Sequence, residues 1–151
     1  MKIEKILFPT DFSEGSYNAV PYAVDFSRQY NAKLYIVHII YDFTKATYSH
    51  IPHISSDQVV DDITVWAENE IDKCYREQIR GLSGVDKLVL NGVPHEEKVK
   101  FAEDRKIDII VMGTYGRTGL DKLIFGSTAE RVVRKAPCPV LAVKQPEYQK
   151  K

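Results

Sequence analysis

The residues with the clearest chemical potential are Gly113 and Gly116, followed after nine residues by Gly126, Ser127 and Thr128. A backbone without Cβ atoms lets a ligand approach the chain closely. Gly126-Ser127 precedes a short helix expected from Thr128 to Lys135. A helix start offers free N–H groups and partial positive charge to an anion. Ser127 and Thr128 add hydroxyl donors, and Ser127 with Glu130 has capping-box spacing. Arg117 and Lys122, inside the loop, would add positive charge. Together these residues read as a phosphate cradle. The stretch is neither a GxxxxGK[ST] loop nor a GxGxxG fingerprint. Its plain alternative is a capped helix after a flexible loop. What favours the cradle is its place after the fourth expected strand, where open α/β sheets hold their ligands.

Other candidate groups are sparser. Asp11 follows the first strand and is the acid best placed for chemistry. It could hold a Mg²⁺ ion or a ribose hydroxyl, or simply form a turn. A phosphate held beside it would call for a metal to offset the charge. His50 and His53 are three apart in an irregular segment without a cysteine, and His38 and His95 lie elsewhere. Zinc asks for three or four ligands, so no metal site is expected from the histidines, and His38 reads as a packed strand residue. Tyr30, Tyr35 and Tyr41 gather around the second strand and are expected to cover core edges rather than line a base. The run Lys98–Lys106 reads as a solvated helix face. No GxSxG nucleophile signature occurs. Cys74 and Cys138 are far apart with no CxxC, as expected of two reduced thiols in a cytosolic protein.

These groups need a scaffold, and the chain alternates two kinds of segment. Ile3–Pro9, Lys33–Ile40, Val85–Leu90, Ile107–Met112 and Pro139–Val143 are short and nearly continuous in apolar residues, as in strands buried on both faces. Between them lie helical patterns. Ser13–Tyr30 carries Tyr17, Val20 and Val24 on one stripe, with Ser13 as cap and a kink expected at Pro21. A long helix over Val59–Ile79 has a Ser55–Gln58 capping box and should end at Gly81. A third begins at Pro94, with Glu96 and Glu97 in its first turn and Arg105 and Lys106 in its last. The long connection Tyr41–Ser56 has no regular pattern, and segments of that length are usually functional or mobile. A helical turn is expected near Leu120–Ile124. The order β-α-β-α-β-α-β-α-β implies a parallel, doubly wound sheet with right-handed crossovers.

Composition narrows the classes. The 151 residues suit one domain, expected over residues 1–145 with a polar tail at 146–151. At this length folding buries roughly 68–70% of the unfolded surface, enough for one core. Lysine plus arginine and aspartate plus glutamate both number 21, so the basic excess typical of nucleic-acid binders is missing. Apolar runs are short, such as Ile109 to Met112, against about 20 residues for a membrane span. The first residues show no export signal. The expectation is a cytoplasmic protein with neither nucleic acid nor membrane as partner.

The whole pattern resembles the universal stress protein family. The likeness runs from Ile6-Leu-Phe-Pro-Thr-Asp11-Phe-Ser through Leu34-Tyr-Ile-Val-His-Ile39, Gly92-Val-Pro94 and Asp108-Ile-Ile-Val-Met-Gly113. It closes with Gly116-Arg-Thr-Gly119-Leu, Gly126-Ser127 and Ala136-Pro-Cys-Pro-Val-Leu-Ala-Val143. The complete G-x2-G-x9-G-S spacing is the mark of the family's ATP-binding branch. The resemblance implies a five-stranded parallel sheet in order 3-2-1-4-5 with helices on both faces, a Rossmann-like fold. It implies an adenine nucleotide, ATP or AMP, with Mg²⁺ or Mn²⁺. The Thr10 and Ile39 backbones would flank the base, Pro9 and Met112 would belong to the same nucleotide site, and Asp11 would lie near the ribose or metal. Gly113, Gly116 and Arg117 would meet the ribose and inner phosphates, and Gly126, Ser127 and Thr128 the phosphate tail. It also implies a regulatory homodimer paired through Pro139–Val143, with slow or no hydrolysis. A slow ATPase or other nucleotide-dependent enzyme, such as a transferase, and a nucleotide-free dimeric interaction module are the alternatives. Tyr115 stands where the family often has histidine or another polar residue.

Overall fold

The computed structural model describes residues 1–42, 57–115 and 125–146. The Ser55 cap, the His50 and His53 pair, most of the Tyr41–Ser56 connection, the Leu120–Ile124 turn and residues 147–151 lie outside them.

Alternation along the strands builds two cores. Strands β1 (Lys5–Thr10), β2 (Lys33–Tyr41), β3 (Val85–Gly92), β4 (Ile109–Gly113) and β5 (Val140–Val143) form one parallel sheet in the expected order β3-β2-β1-β4-β5. Successive side chains of a strand point to opposite faces. Ile6, Phe8, Leu34, Ile36 and Val111 therefore pack on one face, and Leu7, Tyr35, Val37, Ile110 and Met112 on the other. Helices α1 (Glu14–Tyr30) and α2 (Asp57–Tyr75) cover the first face through Val20, Val24, Ile71 and Tyr75. Helices α3 (Pro94–Arg105) and α4 (Ser127–Lys135) cover the second through Phe101, Ala102, Ala129 and Val132.

The helix ends follow local chemistry. Ser13 caps α1, its hydroxyl accepting from the Ser16 N–H at 3.3 Å, and Asn31 ends it in the left-handed conformation. The helix runs on through Pro21. Tyr17 is half exposed, so the buried stripe of α1 is Ala19, Val20, Ala23 and Val24 instead. Pro94 starts α3 with Glu96 and Glu97 behind it, and Lys106 ends it. Helix α2 stops at Tyr75, not Gly81: turns bonded Arg80 to Glu77 and Leu82 to Ile79 carry the chain on to Gly81, at φ +81°. Its apolar pattern is also only half used. Ala67, Ile71 and Tyr75 are buried, whereas Val59, Ile63 and Trp66 are exposed among the described residues.

The sheet opens between β1 and β4. Strand β1 pairs with β2 over six residues, but with β4 only at Ile6–Ile109 and Leu7–Ile110. Beyond Leu7 the two strands part. Proline in a central strand normally removes a ladder bond. Here the Lys5 carbonyl faces β4, accepting from the Asp108 N–H at 2.9 Å, and by alternation Pro9 faces the same side. Its missing N–H falls where pairing has already ended. The crevice at this topological switch point is where such sheets take ligands.

Ile36 is fully buried at the centre of the first core. Ile36→Ala should cost about 2–5 kcal/mol through lost burial plus a cavity. Val133 on α4 is 45% exposed, and Val133→Ala should stay within about 0.5 kcal/mol of wild type. Urea unfolding checks both: the first midpoint falls with an unchanged slope, and the second stays in place.

Candidate nucleotide-binding cleft

A cleft lined by strand ends and helix starts occupies the switch point. Pro9, Thr10 and Asp11 come from the end of β1, Ile39 from β2, and Met112 and Gly113 from β4. Gly126, Ser127 and Thr128 come from the start of α4. All nine were singled out by type and position, and the fold brings them to one cleft. Gly116, Arg117 and Lys122 lie outside the described residues. Tyr30, Tyr35 and Tyr41 do not line the cleft: Tyr35 packs edge-on against Phe101 and Tyr30 stacks on Phe26.

The turn carrying Asp11 is densely bonded. The Ser13 N–H and the Ser16 hydroxyl donate to Asp11 Oδ1 at 3.0 and 2.8 Å. The Phe12 N–H donates to Thr10 Oγ1 at 3.0 Å, and the same oxygen is hydrogen-bonded to the Tyr75 phenol. His38 closes the set by donating from Nδ1 to the Thr10 carbonyl at 2.9 Å, which fixes its tautomer. His38 is thus the packed strand residue expected. Burial alone would raise the Asp11 pKa; the Ser13 and Ser16 hydrogen bonds, with the charge of Lys98, outweigh it and hold the carboxyl below its usual range. Burial pushes the Tyr75 phenol up, so it stays a neutral partner of Thr10.

The opposite rim is built by two helix starts. Gly126 is the N-cap of α4, in extended backbone, and its N–H donates to the Thr114 carbonyl at 2.8 Å. This corrects the capping box: Ser127 is the first helical residue, one position too late to cap, and Glu130 pairs with Arg134 instead. The Ser127 hydroxyl is left on the cleft wall. The Thr114 hydroxyl, also of the cleft lining, is buried without a hydrogen-bond partner among the described residues. Pro94 brings the start of α3 to the same cleft. Two helix N-termini so close to one another favour an anion.

Sequence reasoning missed the other wall. Ser16, Pro94, Lys98, Thr114, Tyr115 and Ala129 also line the cleft. Lys98 corrects the reading of Lys98–Lys106 as a solvated face, because it looks into the cleft and burial lowers its pKa to about 8, against the raising effect of Asp11. The signal was helical spacing. Lys98 lies four residues after Pro94 and three and four before Phe101 and Ala102, on their face of the helix. His95 beside it is held below its ordinary value, first by burial and then by the charge of Arg131. Among the described residues no group of three His, Cys, Asp or Glu could hold a metal, and Cys74 and Cys138 are free.

The comparisons with known proteins agree with this geometry. The model of the universal stress protein family matches residues 2–144. The chain belongs to that family. The universal stress protein MJ0531 of Methanocaldococcus jannaschii is 34% identical over 146 residues, 95% of this chain and 84% of the relative. The solved structure of MJ0577, a protein of the same organism, superposes with a TM-score of 0.83 at 31% identity, over 98% of this chain and all of that one. A universal stress protein solved in complex with cAMP shares the fold at a TM-score of 0.68 and 21% identity, with 95% of this chain and 98% of that one covered. The universal stress protein fold thus accounts for the sheet order, and the switch-point crevice is a feature of that order.

Two consequences concern the cleft's frame. A Cβ on Gly113 would lie 2.5 Å from the Gly15 carbonyl oxygen, whereas one on Gly126 would meet the Thr114 carbonyl at 3.2 Å. Gly113→Ala should therefore destabilise by about 1–3 kcal/mol and Gly126→Ala by less, as read from denaturant midpoints. Asp11 contributes stability above its unfolded pKa, near 3.8, and that contribution is lost as pH falls through its lower folded value. In Asp11→Asn the loss of stability between about pH 5 and pH 2 should be shallower than in wild type, measured by urea unfolding across that range.

Proposed function

We propose that the protein binds an adenine nucleotide, ATP or AMP, in this cleft, as a member of the ATP-binding branch of its family. It acts as a cytoplasmic, homodimeric stress-response regulator with slow or no hydrolysis. The observation that carries the reading is the meeting of two helix N-termini, a glycine-framed strand end and an apolar strip at the sheet's switch point. Ile39 and Met112 offer apolar surface to a base, with Pro9 and Thr10 beside them. Gly113, Gly126, Ser127 and Thr128 offer backbone and hydroxyl donors to phosphates. The buried Thr114 hydroxyl without a partner fits a site that a polar ligand completes. Gly116 and Arg117 belong to the same cradle through the G-x2-G-x9-G-S spacing. The solved cAMP complex of another member supports the ligand class.

Slow or no turnover follows from the acid available. Hydrolysis needs a placed water or base beyond the cradle. Among the described residues Asp11 is the cleft's acid, and its pKa below the usual range makes it a weak base. A Mg²⁺ or Mn²⁺ ion would arrive with the nucleotide, with Asp11 as the protein group nearest in type. The dimer would form through Pro139–Val143, since among the described residues β5 is an edge strand paired with β4 alone, and an edge strand can accept a second strand.

Calorimetric titration of nucleotide-stripped protein with ATP plus Mg²⁺, and with AMP, tests the reading. About one site per chain is expected, with a concentration of about 100 times Kd stabilising the fold by about 2.7 kcal/mol. That should raise Tm by roughly 5–11 °C. Gly126→Leu should lose most of the affinity. No heat with either nucleotide would sink the assignment and favour the nucleotide-free module. Many turnovers of phosphate release, abolished in Asp11→Asn while binding persists, would establish an ATPase.

A further inference from the structure

We propose that Lys98 reads the charge of the ligand: its ammonium group pairs with a phosphate held in the cleft and sets the preference for nucleotide over uncharged nucleoside. This rests on the nucleotide reading above. Lys98 projects from α3 into the cleft one turn beyond Pro94, on the helix face that carries the buried Phe101 and Ala102. A wall beside two apolar side chains would be made more cheaply by another apolar residue, because withdrawing an ammonium from water is costly unless it is paired. Among the described residues Lys98 has no ion pair or hydrogen bond. The carboxylate that acts on it is Asp11, whose Oδ1 already accepts from Ser13 and Ser16. The remaining surroundings are electropositive: the starts of α3 and α4, and Arg131, which with Lys98 depresses the His95 pKa. A second anion, supplied by the ligand, completes the balance.

The titration supports this placement. With a pKa of about 8 in the empty cleft, Lys98 is charged below that value and loses its charge above it. The other groups facing it are Asp11, which stays ionised, His95, which stays neutral above its lowered pKa, and Tyr115 at the cleft edge. The preference for phosphate should therefore fall as pH rises, by at most about tenfold per unit for one proton.

The experiment compares adenosine, AMP and ATP binding to wild type, Lys98→Met and Lys98→Arg at about pH 7.5 and 9.5, with thermal melts confirming that each variant folds. Lys98→Gln takes the place of the methionine variant should that one not fold. In wild type the ratio of adenosine Kd to nucleotide Kd should exceed that of Lys98→Met by about 10- to 100-fold, the range of a charge-assisted hydrogen bond. The ratio should fall with pH in wild type and stay flat in Lys98→Met. Lys98→Arg should keep most of the preference. An unchanged ratio in Lys98→Met, with nucleotide still bound, overturns the role of Lys98 alone and leaves it a counterion of Asp11. A loss in Lys98→Arg equal to that in Lys98→Met overturns charge as the quantity read. No binding of any of the three ligands to wild type overturns the nucleotide reading itself.

Discussion

The cleft depends on one close approach of backbone to backbone. The carbonyl of Gly15, in the first turn of α1, occupies the space a Cβ on Gly113 would need, and the Tyr115 carbonyl crowds Gly15 in the same way. Two residues without side chains thus let the start of α1 press against the end of β4 across a sheet that has already parted there. If either carried a side chain, α1 would have to stand off, and the floor of the crevice would widen. The glycine of a phosphate cradle therefore has a second use here. Gly113 is required for packing whether or not a ligand approaches it.

That contact places opposite charges at a controlled separation. The turn after β1 brings Asp11 in as an anion whose Oδ1 accepts two hydrogen bonds, while the starts of α3 and α4 reach the same cleft. An acid alone would repel phosphate, and two helix ends alone would bind almost any anion. The cleft lining thus combines one acid, Asp11, the apolar side chains of Ile39 and Met112, and the starts of α3 and α4.

Much of this was legible in the sequence, because strand alternation and glycine spacing are local properties. The parallel sheet followed from apolar runs separated by helical patterns; six cleft residues, Pro9, Thr10, Asp11, Ile39, Met112 and Gly113, lie where those runs end, and Gly126, Ser127 and Thr128 followed from the glycine spacing. What was not legible depended on placement between elements. Lys98 looked solvated because its neighbours Glu96, Glu97, Lys100, Glu103 and Asp104 are polar. Its companionship with Phe101 and Ala102 mattered more than the local charge density. Ser127 was expected to cap because its spacing to Glu130 fits, but the Gly126 N–H is tied to Thr114, Gly126 takes the cap position and the helix starts one residue earlier, at Ser127. Helix α2 ends before Gly81 because the chain is drawn down by i-to-i−3 bonds toward β3, a demand of the connection rather than of the helix pattern.

The precision of the Asp11 turn is bought on the far side of the sheet. Phe12 has φ +62°, a left-handed conformation that costs a bulky residue about 1–3 kcal/mol. Its ring lies 4.5 Å from that of His38 on β2 and 5.7 Å from that of Trp66 on α2, centre to centre. Aromatic contacts of this kind contribute about 0.5–1.5 kcal/mol each beyond the area they bury, enough to offset the backbone term. Tyr75, also on α2, holds Thr10 from the same side. A backbone in this region survives only when its surroundings over-determine it, and here β2 and α2 both do so. The direction in which Asp11 faces the cleft is therefore set by residues that never enter it. A ligand that drew Asp11 out of its bonds with Ser13 and Ser16 would have to work against Phe12, His38, Trp66 and Tyr75 together, so the turn presents one fixed carboxylate to whatever the cleft receives.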